Sequence, residues 1–404
     1  MGVTEYRLAS AFLRLLCVAF DLLPIRRSRI VLATARVAHL EGNLAAIHAE
    51  ITARFPDRDV ALILEPYSYG LIGKLRYLVR LVRGTYLVRT SGLVVLDNAY
   101  LPVHVAAHRA GTTVIQVWHA VAALKRFGLD SLTPLADPER RFLHRYYDYV
   151  VCTAERSQLP WSAALGVPPD RVLPLGTPRT DALADVAGLA RTRAEVLERH
   201  PALRGRRVVL YAPTFRGRGA AKFAADDLDG TALRAALPAD HILVLKTHPN
   251  LDPAATATAG FDLVIDPATE LNDLLTATDV LVTDYSSSIF EWATLRRPLV
   301  LLVPDLATYE ADPGLYLDYR TEMIGEQVTD TAGVARAVRS ATVDELAWDA
   351  FIERHLGPDI GHASRRFVDR FVMRPATPPS TTDPGVAPAT ARNGDNLPRD
   401  VRHE

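Results

Sequence analysis

From Val280 to Glu291 the chain reads Val-Leu-Val-Thr-Asp-Tyr-Ser-Ser-Ser-Ile-Phe-Glu. The continuous apolar start predicts a strand over Val280–Thr283 that is buried on both faces of a parallel sheet. A hydroxyl-rich turn follows, and Ser288 with Glu291 fits the S-x-x-E capping box that opens a helix. A strand, a turn and a helix start in direct succession indicate an α/β unit.

Apolar runs of the same kind recur on both sides of this stretch, and helical patterns separate them. The other predicted strands are Ile30–Ala35, Val60–Glu65, Leu93–Asp97, Val114–Trp118, Tyr149–Thr153, Val208–Ala212, Ile242–Lys246, Leu263–Asp266 and Leu299–Val303. The predicted helices are Leu40–Arg54, Arg179–His200, Asn272–Ala277 and Val334–Ser340. Because the alternation occurs twice, we predict an α/β fold of two doubly wound, Rossmann-like domains that face each other across a cleft.

Pro201 and the basic turn Arg204–Arg207 mark the predicted boundary between the halves. We predict an amphipathic segment over 1–29, one α/β domain over 30–203 and a second over 204–374, whose last helix could return to the first domain. Residues 375–404 hold Pro, Thr, Ser, Asn and Asp with almost no large apolar residues. This composition predicts a disordered tail.

The composition excludes several classes of protein. Of 404 residues, 49% are hydrophobic, which is incompatible with a disordered or collagen-like chain. The net charge is -1, so there is no global electrostatic argument for a nucleic-acid partner. No spanning helix is expected, since the chain lacks a run of about 20 apolar residues. It also lacks a G-x-G-x-x-G after the first strand, a Walker A loop and a G-x-S-x-G elbow.

Ligand contacts in such a fold come from the loops that follow the strands. His119 ends a predicted strand of the first half, and a histidine there could act as a general base near neutral pH. The alternative is a core histidine that is hydrogen-bonded to the backbone. The position of His119 at a strand end does not by itself favour either interpretation.

Two loops of the second half carry cations at strand ends. Thr214 and Arg216 follow one strand, and a hydroxyl group beside an arginine suits an anionic ligand. Lys246 and His248 follow the next strand and suggest phosphate contacts. A strand that ends at a proline and leaves polar residues exposed would explain the second pair equally well.

The opening stretch holds the most specific candidate site. A helix N-terminus offers free N–H groups and a positive dipole end to a phosphate. Ser286 and Ser287 add hydroxyl donors there. A plain helix cap would explain Ser288, but not three serines after Asp284.

Several short motifs follow one another along the chain. They are Trp118-His119, Gly176-x-Pro178-Arg179-x-Asp181, Ala212–Arg216, Leu245-Lys246-x-His248-Pro249, Thr283–Ser287, Arg297-Pro298, Asp305-Leu306-x-x-Tyr309 and Gly361–Ser364. From about Asp97 to Phe371 this order resembles the CDP-glycerol glycerophosphotransferases of teichoic acid synthesis. The length and the segment Ile115–Leu129 look most like the primase branch, which adds the first glycerol phosphate to a lipid-linked disaccharide.

The resemblance implies a GT-B-type fold, with the CDP donor on the C-terminal domain and His119 as the base on the acceptor hydroxyl. The residues that it implies around the donor are His248 as a second catalytic histidine, Ser286, Ser287, Ser288, Arg179, Thr214, Arg216, Lys246 and Asp284. Family members usually have a glycine at position 120 or 122, where this chain has Ala120 and Ala122.

The resemblance also implies the partners: CDP-glycerol, an undecaprenyl-diphosphate-linked saccharide and an anionic membrane surface, with room for a homo-oligomer. No resident cofactor or metal is implied, although Mg²⁺ could accompany the pyrophosphate. Leu8–Leu23 is amphipathic and Leu71–Val88 is basic and apolar, which is typical of helices that lie in an anionic interface. We therefore predict a peripheral protein at the cytoplasmic membrane face. The alternative for both segments is ordinary helices packed on the sheets.

Three other functions remain open on the sequence. The first is the same chemistry with CDP-ribitol or on a growing polymer. The second is a nucleotide-sugar glycosyltransferase or epimerase of GT-B type, since fold does not determine function. The third is a non-catalytic partner in a membrane-bound assembly.

Overall fold

The computed structural model describes residues 3–64, 71–132, 142–216, 223–224, 227–247, 257–267 and 269–373. The predicted tail over 375–404 and the predicted site residue His248 lie outside these ranges. Within them, the backbone is organised by two six-stranded parallel sheets, one in each half of the chain.

The first sheet has the strand order β2-β1-β3-β4-β5-β6, and every neighbouring pair is parallel. Its strands are β1 Arg26–Thr34, β2 Val60–Leu64, β3 Ser91–Leu96, β4 Thr113–Gln116, β5 Tyr149–Cys152 and β6 Val172–Pro174. The helices of this half are α1 Val3–Phe20, α2 Gly42–Arg54, α3 Leu71–Thr90, α4 Leu101–His104 and α5 Gln158–Leu165. Helix α6 Val186–Arg199 follows in the chain but packs on the second half, where Val196 belongs to a core of the second sheet.

A second sheet has the order β11-β10-β7-β12-β13-β14 and is also parallel throughout. The strands of this half, including the separate antiparallel pair β8–β9, are β7 Arg207–Tyr211, β8 Phe215–Arg216, β9 Phe223–Ala224, β10 His241–Lys246, β11 Leu263–Ile265, β12 Val280–Thr283, β13 Leu299–Leu302 and β14 Glu326–Val328. Its helices are α7 Gly230–Ala236, α8 Leu271–Thr276, α9 Ser288–Thr294, α10 Leu306–Ala311, α11 Tyr319–Glu322, α12 Thr331–Ser340, α13 Glu345–Leu356 and α14 Ala363–Val368.

Both faces of each sheet are buried. In β7, Val208 and Leu210 belong to one apolar core, while Val209 and Tyr211 belong to the core on the opposite face. The first sheet shows the same alternation between two cores. This burial explains why the strands read as continuous apolar runs, and it confirms the prediction of two parallel-sheet α/β halves.

All ten predicted strands are present, but the sequence missed β6 and β14 at the sheet edges and the short antiparallel pair β8–β9. The predicted helix Arg179–His200 is wrong at its start, because Pro178–Leu183 forms a 3₁₀ turn and α6 begins only at Val186. Long-range contacts hold this turn, since the Asp181 carboxylate accepts hydrogen bonds from the backbone N–H groups of Ala363 and Ser364 (2.8 and 2.7 Å). A helical period cannot reveal such contacts.

The C-terminal helix α14 packs on the first half of the molecule. Phe367 and Phe371 lie in the core of the first sheet, and Arg54 Nη2 in α2 pairs with Asp369 Oδ1 at 2.6 Å. The chain therefore crosses between the halves twice. Within the described ranges, no helix is both long and apolar enough to cross a bilayer.

Candidate active site

His119 lies in the loop after β4, at the carboxyl edge of the first sheet, and is half-buried. Its Nδ1 atom is 3.3 Å from the backbone oxygen of Asp97, at the end of β3. A carbonyl oxygen only accepts hydrogen bonds, so Nδ1 is the protonated nitrogen of the neutral ring. The lone pair is then on Nε2, which is the arrangement that a general base requires.

The surroundings of His119 keep its ring neutral at physiological pH. Burial lowers the pKa of His119 to about 4, and the cations Arg36 and Arg179 lower it further, against the effect of the Asp97 carbonyl. The ring therefore carries no proton on Nε2 across the neutral range. Both charge state and tautomer suit proton abstraction.

The backbone strain of this loop falls on Trp118, whose φ is 51°. Neither Ala120 nor Ala122 is among the described residues with positive φ, so alanine fits both positions without backbone strain. Asn43 in α2 holds Trp118 in place, because its Nδ2 donates to the Trp118 oxygen at 2.8 Å. No sequence pattern pointed to Asn43.

Arg179 connects the His119 loop to the second half of the molecule. Its Nη1 donates to the His119 oxygen at 3.1 Å, and its Nη2 donates to Glu291 in α9. Glu291 is fully buried, whereas 21% of the Arg179 side chain is exposed. Arg179 was predicted as an anion contact; in the structure its guanidinium joins the two halves.

The predicted capping box of Ser288 and Glu291 is wrong. Helix α9 begins at Ser288, its N-cap is Ser287, and no side chain caps it. The Glu291 carboxylate instead accepts hydrogen bonds from Arg179 and from Asn272 Nδ2 (3.2 Å). The Glu291 carboxylate, which a capping box would use, is instead engaged in an ion pair with Arg179, a residue far away in the sequence.

The serine turn between β12 and α9 lies on the carboxyl edge of the second sheet. Ser286 and Ser287 are half-buried and Ser288 is buried. The Ser286 and Ser288 hydroxyl groups are 2.7 Å apart, and the Ser288 N–H donates to Ser286 Oγ at 3.3 Å. These contacts hold the hydroxyl groups in one cluster at the end of the strand.

Asp284 organises the start of this turn. Its carboxylate accepts from Thr214 N and Oγ1, both at 2.9 Å, and from Arg216 Nη1 at 2.7 Å. Arg216 Nε also donates to Asp305 Oδ2 at 2.8 Å. The predicted anion contacts Thr214 and Arg216 are thus bound to carboxylates that fix the loop.

Lys246 is buried at the end of β10, and its Nζ donates to the Pro267 oxygen at 3.1 Å. Burial lowers its pKa. Whether it reaches a ligand stays a prediction. No group of three or more His, Cys, Asp or Glu side chains that could hold a metal ion is found among the described residues.

The sequence missed three side chains that the structure brings to the site: Asn43, Glu291 in its interdomain role, and Lys125. Of these, only Lys125 gave a signal, as a cation shortly after His119. On the sequence alone a solvated helix face explains that charge equally well, whereas in the structure Lys125 is half-buried and pairs with Leu315 of the second half.

A family model described as CDP-Glycerol:Poly(glycerophosphate) glycerophosphotransferase matches residues 16–373. The chain belongs to this family. The resemblance seen in the motifs is thereby confirmed. Its relatives include glycerol- and ribitol-phosphate primases and polymerases of teichoic acid synthesis.

Two relatives show the range of the family. The teichoic acid ribitol-phosphate primase of Bacillus spizizenii is 30% identical over 375 residues, which cover 91% of this chain and 94% of the relative. The teichoic acid glycerol-phosphate primase of Bacillus subtilis is 27% identical and covers 72% of this chain and 73% of its own length.

Solved structures support the fold. The wall teichoic acid polymerase TagF superposes with a TM-score of 0.70 at 20% identity, over 91% of this chain and 96% of the TagF chain. A UDP-GlcNAc 2-epimerase from Neisseria meningitidis gives a TM-score of 0.52 at 13% identity, over 86% of this chain and all of the epimerase chain. Both likenesses establish two α/β halves, each with a parallel sheet.

Proposed function

We propose that this protein transfers glycerol phosphate from CDP-glycerol to a hydroxyl group of a lipid-linked saccharide, with release of CMP, in teichoic acid synthesis. One observation carries the proposal: Arg179 joins the His119 backbone to the first turn of α9, the helix that the serine turn precedes. A neutral base on one half is thus held near a hydroxyl cluster on the other half.

In the proposed reaction the acceptor oxygen attacks the β-phosphorus of the donor as His119 Nε2 takes the hydroxyl proton. The bond between the β-phosphorus and the bridging oxygen breaks, and CMP leaves with that oxygen. General bases of this kind contribute roughly 10²–10⁴-fold to the rate. Ser286 and Ser287 donate to the phosphate oxygens, and His248 stays a further predicted donor contact.

We further propose that the two halves form a GT-B-type pair of doubly wound domains. The donor would lie on the second half, at the carboxyl edge of a sheet whose strand order is 3-2-1-4-5-6 when its strands are numbered from β7. In that topology, ligands bind where the strand order reverses. This reversal lies between β7 and β12, the strands that Thr214 and Asp284 follow. The proposal requires no resident metal.

CDP-ribitol is the second candidate donor. The ribitol-phosphate primase of Bacillus spizizenii matches this chain at higher identity and over a larger share than the glycerol-phosphate primase of Bacillus subtilis. Release of CMP from CDP-glycerol and from CDP-ribitol, each with a lipid-linked disaccharide acceptor, separates the two. Release with neither donor contradicts the proposed function.

The low pKa of His119 makes the acidic side of the pH profile a test. The base must be neutral, and a pKa of about 4 keeps it neutral well below pH 6. We therefore expect kcat/KM to stay level from pH 7 down to about pH 5, since this quantity reports the free enzyme. A decline with a midpoint near 6.5, in protein shown to remain folded, would contradict the environment described for His119.

We propose that helix α1 attaches the protein peripherally to the cytoplasmic face of the membrane. Leu13 and Cys17 pack against Leu81 of α3, so these residues form the buried face. The predicted apolar stripe faces outward, and its members are Leu8, Phe12, Leu15, Ala19 and Leu22. An exposed apolar stripe near the exposed cations Arg7 and Arg14 suits an anionic interface.

The double substitution Leu8→Asp/Leu15→Asp should weaken flotation with phosphatidylglycerol vesicles by tenfold or more. Two leucine side chains are each worth roughly 1.5–3 kcal/mol when they leave water, and the new carboxylates are repelled by the anionic lipid. Leu346→Asp is the matched control, because Leu346 is 83% exposed on α13. Equal flotation of the unaltered protein, the double variant and Leu346→Asp would exclude α1 as the attachment surface.

A further inference from the structure

Lys125 belongs to the loop that carries His119, yet it docks on the second half of the molecule. It pairs with Leu315 in an isolated antiparallel bridge. The Tyr316 N–H donates to the Leu124 oxygen at 2.9 Å beside this bridge. The backbone of Lys125 is therefore fixed against the half that is proposed to hold the donor.

The Lys125 ammonium group enters a cluster of aromatic and charged side chains there. Its Nζ lies 5.2 Å from the centre of the Tyr309 ring, and the charges of Asp284 and Arg216 act on it. The Asp284 carboxylate is already shared by Thr214 and Arg216. It attracts the ammonium without being its hydrogen-bond partner.

Lys125 is half-buried, and its ammonium group has three hydrogen-bond donors. Lys125 makes the cation–π contact with Tyr309 but donates no hydrogen bond to any residue in the described part of the chain. Burial accordingly lowers its pKa to about 8, with Asp284 raising it and Arg216 lowering it. The ligand that suits these free donors is an anionic oxygen.

The place of such an oxygen follows from the sequence around Asp284. Ser286 and Ser287 come directly after Asp284 and Tyr285 in the same turn, so the ammonium group and the hydroxyl cluster adjoin one loop. We propose that Lys125 is a catalytic residue that binds a phosphate oxygen of the CDP-polyol and offsets the charge that develops on the transferring phosphoryl group and on departing CMP. This inference rests on the proposed function.

Lys125 thereby supplies the donor site with a charge from the opposite half. The base His119 and the cation arrive on one loop, so the docking of that loop brings both to the reacting phosphorus. Fixed donors aimed at developing charge are among the largest contributions to catalysis, typically about 10²–10³-fold for a single group.

The test compares Lys125→Met, Lys125→Arg and the neighbouring control Arg126→Met. Methionine keeps an apolar stem against Tyr309 without the charge. Arg126 pairs with Asp130 at 2.9 Å within its own loop, so its loss should leave turnover nearly unchanged. We expect Lys125→Met to lose about 10²-fold or more in kcat and Lys125→Arg to recover much of that loss. Equal turnover of the Lys125→Met and Arg126→Met variants would overturn the inference.

The dependence of kcat/KM on pH above neutrality distinguishes a catalytic role of Lys125 from a purely structural one. The groups that face the ammonium are Asp284 after β12, Arg216 in β8 and Tyr309 in α10. Lys125 must be protonated to act, so kcat/KM of the unaltered protein should fall above about pH 8. Lys125→Arg should remove this decline, since a guanidinium keeps its proton. A decline that persists in Lys125→Arg would count against the assignment.

Inorganic pyrophosphate separates this inference from the proposed function. A ligand that binds only the folded state raises Tm, so pyrophosphate should stabilise the unaltered protein more than Lys125→Met. Without pyrophosphate, Lys125→Met should unfold at about the same temperature as the unaltered protein, because the half-buried Lys125 donates no hydrogen bond to the described part of the chain. If no CDP-polyol is turned over but this difference is seen, the proposed function fails and the anion contact stands. If pyrophosphate shifts both proteins equally, or neither, the contact is overturned.

Discussion

Replacing His119 by alanine should lower kcat by roughly 10²–10⁴-fold and leave the affinity for the CDP-linked donor unchanged. The donor is proposed to lie on the second half, at Ser286 and Ser287, whereas His119 projects from the first. Among the described residues the ring makes one hydrogen bond, to the Asp97 oxygen, so its removal should disturb the fold little. The loss therefore concerns the proton of the acceptor hydroxyl and not donor binding.

The measurement is CMP release in steady state, with donor affinity measured separately by calorimetry. His200→Ala is the control, because His200 ends α6 and has no place in the proposed reaction. We expect full turnover from His200→Ala, and a His119→Ala protein that folds and binds the donor but turns over slowly. Near-normal turnover of His119→Ala would remove His119 as the base.

Replacing Arg179 by methionine should produce the largest loss of stability. Glu291 is fully buried and depends on Arg179 for its charge partner, and removing one member of a buried pair leaves an uncompensated charge. We expect the free energy of unfolding to fall by about 3 kcal/mol, at the lower end of the range for such pairs because Arg179 retains some exposure. Turnover should fall as well, since Arg179 also holds the His119 oxygen.

Two further proteins test the reason for that loss. Arg179→Met/Glu291→Met removes both charges and should recover most of the stability, because well-packed apolar residues can replace a buried ion pair. Arg156→Met breaks a more exposed ion pair with Glu322, which is worth about 0–1 kcal/mol. Equal instability of the single and double Arg179 variants would show that the buried charge is not the cause.

The fold could be predicted from the sequence because a strand that is buried on both faces of a sheet reads as a continuous apolar run. Strands such as Val280–Thr283 and Ile242–Lys246 are apolar at every position that meets a core, so their runs could be recognised without any contact. The two edge strands that were missed lack such a run: β6 ends in Pro174, and β14 begins with Glu326. Their pairing depends on the neighbouring strand more than on their own composition.

The site was predictable where a residue follows a buried strand, and not where long-range contacts decide its partner. His119, Asp284 and the serines were placed correctly at strand ends. The partners of Arg179 and Arg216 could not be read from the sequence, because Glu291 and Asp305 lie about 90–110 residues further along the chain. Glu291 has the spacing of a helix cap, and only the fold shows the interdomain ion pair that it makes instead.

The most direct test of the account follows the β-phosphorus of the donor. CDP-glycerol or CDP-ribitol labelled with ³²P at the β-phosphate is incubated with the full chain and a lipid-linked disaccharide, and both the lipid fraction and the nucleotide are analysed. We predict label in the lipid fraction, with one unlabelled CMP released for each labelled product. Label that remains in a released nucleoside diphosphate would show cleavage on the other side of the β-phosphate and would contradict phosphoryl transfer.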